Sequence, residues 1–186
     1  MASSNRQKTK ERLIEKETKL TLFEKEILRL ILNYGNETIH ISKEEINLTK
    51  FFIEELEYDD LNFTLPKYKI LYSEIVNNFK KNEYVEEKYF LNNNQFFIQE
   101  IAIDLMSNKH NISVNWQKRH NIFTSTESDS LSKTAEKALL NLKHEHLENQ
   151  INDLKKSLKI EDKALVNKFK SLVEIRKEIA QKLGRK

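Results

Sequence analysis

Residues 127–186 read as two long amphipathic helices joined by a very short break at Lys159-Ile160-Glu161-Asp162. Along the first, Leu131, Ala135, Leu139 and Leu142, and then Ile151, Leu154 and Leu158, recur at three- and four-residue steps, the spacing of one helix face. The second answers with Leu165, Phe169, Leu172, Ile179 and Leu183, and Gly184 closes it. A turn this short forces the two helices to pack antiparallel. Two helices alone make a thin core, so a hairpin of this kind projects where a partner can grip it.

Breakers are scarce elsewhere too. The 186 residues hold two Gly and one Pro, which favours helices and makes extended β architecture hard to build. The expected fold is therefore all-α: a helical bundle, then a long helix and a C-terminal antiparallel helical hairpin. Residues 1–20 are polar and basic and read as a linker. Residues 21–126 form the bundle, and residues 127–186 the long helix and hairpin.

Local signals mark the bundle helices. Thr21 with Glu24 forms a capping box ahead of Phe23, Ile27, Leu30, Ile31 and Tyr34. Gly35 then suits a left-handed helix end. Ser42 with Glu45 reads as a second capping box, opening a helix through Phe51, Phe52 and Leu56 that stops near Tyr58-Asp59-Asp60. Pro66 sits where a first-turn proline belongs, and the helix behind it fades at Lys80-Lys81-Asn82. A short segment at 85–91 and a longer one at 96–106 complete the group. The stretch 107–126 has no helical period, and Trp116 within it is expected to pin a long connection to the bundle.

Several function classes are excluded or disfavoured. No window approaches the roughly 20 apolar residues of a spanning helix, and the N-terminus has no apolar run of a signal peptide. A cytoplasmic, membrane-free protein is the expectation. With no cysteine, disulfides, thiolate zinc sites and cysteine nucleophiles are ruled out. His144-Glu145-His146 places two imidazoles two residues apart on a helix, hence on roughly opposite sides, which is poor geometry for one metal. His40, His110 and His120 lie in or near loops without a carboxylate at ligand spacing. Glycine-rich phosphate loops are missing. No catalytic, cofactor-binding or metal-binding residue is assigned, and an enzyme is not expected.

Charge points to the C-terminal helix. Residues 162–186 carry eight Lys/Arg against three acids, and residues 1–20 carry six against three, in a chain of net charge +3. A basic helix on an acidic body steers toward nucleic acid or an acidic protein surface. The same Lys and Arg also suit a helix C-terminus and a solvated face. Only 6 of the 32 basic residues are Arg, so DNA contact would be weak, sequence-blind and salt-sensitive. Val166, Val173 and Ala180 recur every seven residues beside the core stripe, with Ile160 in the turn. They offer an apolar patch to another protein, unless the hairpin leans back on the bundle and buries them.

Four segments carry a family resemblance. They are Glu26-Ile27-Leu28-Arg29-Leu30-Ile31-Leu32-Asn33-Tyr34-Gly35-Asn36, then Phe51-Phe52-Ile53-Glu54-Glu55-Leu56, then Asn115-Trp116-Gln117-Lys118-Arg119-His120-Asn121-Ile122, and last Ile175-Arg176-Lys177-Glu178-Ile179-Ala180-Gln181-Lys182-Leu183-Gly184-Arg185. In this order they resemble the C-terminal domain of bacterial DnaG-type DNA primases in a Bacteroidetes-like form, over about residues 20–186. The resemblance implies a non-catalytic domain that docks the primase on the N-terminal domains of the hexameric replicative helicase. In that family the zinc-binding and catalytic domains lie further toward the N-terminus, so the chain is expected to be a fragment unable to make primers.

The interface residues expected from position in the hairpin are Ile160, Val166 and Val173 for desolvated contact, with Lys170, Arg176 and Lys177 for encounter and register. A helical nucleic-acid-binding module and a structural homo-oligomer with hairpins paired between chains are the alternatives.

Overall fold

The computed structural model describes residues 18–107, 130–157 and 163–185. Among them the chain runs α1 (Lys19–Tyr34), β1 (Thr38–Ile41), β2 (Glu44–Asn47), α2 (Leu48–Tyr58), α3 (Pro66–Asn82), α4 (Glu87–Leu91), α5 (Phe96–Met106), α6 (Leu131–Ser157) and α7 (Lys163–Lys182). The fold is all-α apart from one small antiparallel pair of strands. No helix among the described residues is long and apolar enough to cross a membrane. Trp116, Ile160 and the expected connection after Ser107 lie outside the described residues.

α1 is the central helix. Ile27, Leu28, Leu30 and Ile31 are all fully buried, which on a 3.6-residue period covers nearly half of its circumference. It starts a turn earlier than expected. Thr18 is the N-cap and exchanges bonds with Thr21: its hydroxyl accepts the Thr21 N–H at 3.2 Å, and its own N–H donates to Thr21 Oγ1 at 2.9 Å. That leaves Glu24 free of capping. Its side chain turns inward, and Oε1 accepts the Thr64 backbone N–H at 2.7 Å, tying the α2–α3 loop to α1.

Gly35 caps α1, but in right-handed helical geometry at φ −59° and ψ −22°, not the left-handed conformation expected. Its role is close approach. A Cβ there would collide with the Ile31 carbonyl oxygen and with Thr49 Oγ1. The Thr49 hydroxyl in turn donates to the Gly35 carbonyl at 2.9 Å, locking α2 to the end of α1. Gly184 does take the left-handed form, at φ 69°, and ends α7.

The second expected capping box is a β-turn instead. Ser42 and Lys43 both have positive φ (50° and 79°) and join β1 to β2, with Ile39 opposite Ile46 and His40 opposite Glu45. Two consecutive left-handed residues give the turn whose twist suits a hairpin. β-branched Thr38, Ile39 and Ile41 favour the strand, and Ile39 is buried. α2 begins only after β2, with the Asn47 side chain accepting the Lys50 N–H at 3.1 Å. Pro66 opens α3 and Glu83, at φ 61°, closes it after Lys80-Lys81-Asn82.

α6 serves two partners. Leu131, Ala135, Ala138, Leu139 and Leu142 join the bundle core with α1, whereas Ile151 is buried outside that core. α6 packs on α1 along one side and on α7 along another. The stripe expected to face the last helix is thus shared, its first half going to the bundle. Lys143, between those halves, reaches Glu55 and Asp59 of α2 and its cap at 2.7 and 2.6 Å.

Candidate partner-binding arm

α7 rests chiefly on one neighbour, α6. The antiparallel register is read from two cross-links: Arg176 Nη1 to Glu148 Oε1 and Arg185 Nη2 to Asn141 Oδ1, both 2.7 Å. As the residue number rises on α7 it falls on α6. Among α7's residues only Ile179 is buried, and none enters the bundle core.

The six residues singled out by position separate into three groups. Val166 and Val173 are half-buried on one flank of α7, with Ala180 in line one further heptad along. Lys170 and Lys177 follow these valines at four-residue steps, so they border the same flank. Both are exposed and have no ion-pair partner among the described residues. Arg176 belongs elsewhere: its guanidinium is held between the helices by Glu148, each side chain less than a third exposed. It ties α7 to α6 and helps set the arm's register. Ile160 lies outside the described residues.

The histidines of α6 face two separate grooves. His146 lines one of about 740 Å³ with Leu20, Thr64 and Gln150, and His144 lines another of about 480 Å³ with Phe23, Glu148 and Arg185. Burial lowers the pKa of both, and the Arg185 charge adds to the effect at His144. Each keeps one buried ring nitrogen without a hydrogen-bond partner among the described residues, Nδ1 of His144 and Nε2 of His146. Two imidazoles aimed apart do not make a chelating pair. Among the described residues no three His, Asp or Glu side chains converge on one point.

Sequence reasoning missed one surface. α5 carries Phe96 74% exposed and Ile103 50% exposed on its outer side. The signal was there, since Phe96 and Ile103 are seven residues apart in a helix apolar nearly all round.

These features define the class: an all-α domain built around one buried helix, with its last helix carried as an arm on a long shared one. A family model matches residues 7–186, and the chain belongs to that family, a domain of unknown function designated DUF8430. Neither a curated protein nor a solved structure matches the chain.

Proposed function

We propose that this domain docks a DnaG-type DNA primase on the hexameric replicative helicase of its cell, with the α6–α7 arm as the contact. The partner's identity rests on the family resemblance of the four segments. The observation that carries the choice of surface is the flank of α7, where half-covered Val166 and Val173 stand beside Lys170 and Lys177, whose ammonium groups have no ion-pair partner among the described residues. Apolar contact beside unspent positive charge fits an acidic protein surface with an apolar groove. A modest, salt-sensitive interface suits a primase recruited repeatedly. The domain itself performs no chemistry in this reading. Primer synthesis belongs to the other domains of the parent nucleotidyltransferase, and DNA contact by the arm is weak and non-specific.

Truncation tests it. Because α7 supplies nothing to the bundle core, a chain ending before residue 160 should still unfold cooperatively yet no longer bind the cognate helicase. Undiminished binding by the folded truncation would sink the assignment.

A further inference from the structure

α5 is Phe96-Phe97-Ile98-Gln99-Glu100-Ile101-Ala102-Ile103-Asp104-Leu105-Met106. Its inner side is accounted for, since Ile98, Ala102 and Leu105 are buried in the core. Its outer side carries Phe96 and Ile103 one above the other, with Met106 a turn beyond and half-buried. A helix apolar on both sides calls for cover on both. Its two charges are both acidic. Asp104 is taken by Lys25 of α1 at 2.8 Å, but Glu100, between Phe96 and Ile103, has no ion-pair partner among the described residues. The missing cover must therefore bring apolar side chains seven residues apart with a cation between them.

The chain itself carries such a helix. On α7 the order Val166, Lys170, Val173 repeats the spacing of Phe96, Glu100, Ile103 with the charge inverted, and Lys177 and Ala180 extend it. The two faces do not meet within one molecule. α5 packs on α1, α1 on α6, and α6 on α7. On α1, Lys25 reaches α5, while Phe23 lines the groove that Arg185 also borders. These two positions lie two residues apart and so face opposite sides of the helix. We propose that copies of this chain associate head to tail, the α7 flank of one seated on the outer face of α5 of the next. The two patches differ, so the contact is heterologous and extends to a short chain or closes to a ring. It is read from this chain alone and stands apart from the helicase reading. An α7 flank so engaged is unavailable to any other partner.

Sedimentation velocity at rising protein concentration in low salt tests the proposal. The expected result is a weight-average mass that climbs past two chains of 22.2 kDa and falls back in about 0.5 M salt. Phe96→Asp and Val173→Asp should each abolish association alone. Mixed one to one they should form a species that stops at two chains, because each supplies the face the other lacks. Glu100→Lys and Lys170→Glu should each weaken association, and both together in one chain should restore it. These side chains are exposed or half-exposed, and circular dichroism checks that each variant folds. Should an aspartate variant misfold, the charge exchange decides. A wild-type mass fixed at one chain or stopping at two, a mixture that stays monomeric, or no rescue by the exchange would each overturn the proposal.

Discussion

At the scale of single residues, two positions hold more of this fold than their residue types suggest. Lys143 is 17% exposed and meets two carboxylates. Burial alone would pull its pKa down, but the hydrogen bonds to Asp59 and Glu55 outweigh it and the pKa rises. Lys143→Ala removes the cation and leaves two acids side by side at the end of α2. The expected loss, read from urea unfolding, is about 1–2 kcal/mol, since both carboxylates keep some solvent. Gly35→Ala has no room at all, with the Ile31 carbonyl and Thr49 Oγ1 in the way. Its expected cost is about 1–3 kcal/mol, the range of overpacking in a close-packed site, and an unchanged urea midpoint would contradict it. The sequence made Gly35 visible as a helix end but not its reason. A left-handed cap and a close backbone approach leave the same letter in the same place. The Arg176–Glu148 pair was hidden for a similar reason, because a cation on an amphipathic helix does not announce whether it faces a carboxylate of its own chain or of another.

At the scale of elements, helices with a strong period and an unambiguous end were legible. α3 starts at Pro66 and fades at its lysines, and α5 spans 96–106 as expected. The β-hairpin was not. Ser42 and Glu45 carry the letters of a helix start, and a strand of four residues gives alternation too little length to compete with them. The turn Ser42-Lys43 also lacks the Asn-Gly or Asp-Gly letters that mark such hairpins. Two side chains held at positive φ store conformational strain. Lys43→Gly should relieve it and raise stability by about 0.5–1 kcal/mol in thermal or urea unfolding; a loss of stability would show that the Lys43 side chain contributes more than its backbone costs. α6 teaches a different lesson. Its apolar period was plain, but one period cannot say that Leu131 to Leu142 face α1 while Ile151 lies outside that core.

At the scale of the whole molecule, titration and binding are the properties that integrate these parts. His144 and His146 have pKa values below the ordinary 6.5, with desolvation the main cause in both. The unfolded chain therefore takes up protons near pH 6.5 before the folded one does, and stability falls as pH drops through that window. Their neighbours include Arg176, Arg185, Glu145 and Glu148 around His144, and the Asn62 backbone beside His146. Glu24 works the other way. Burial raises its pKa above 4.5, so its burden on the fold eases as it protonates, at the acid end. The melting temperature is expected to decline between pH 7.5 and about 5.5, and replacing both histidines by Gln should flatten that decline. A slope unchanged by the double variant would contradict the assignment. The candidate arm was legible in outline because its helices are long and its charge lopsided. What stayed hidden was how much of its first helix belongs to the bundle.

Calorimetric titration of this chain into the cognate hexameric helicase, at low and at moderate salt, tests the central claim most directly. The expected result is saturable binding that weakens with salt and disappears with Val173→Asp while the variant stays folded. No heat at either salt from a folded chain, or full binding by Val173→Asp, would contradict the helicase-docking role of the α7 flank.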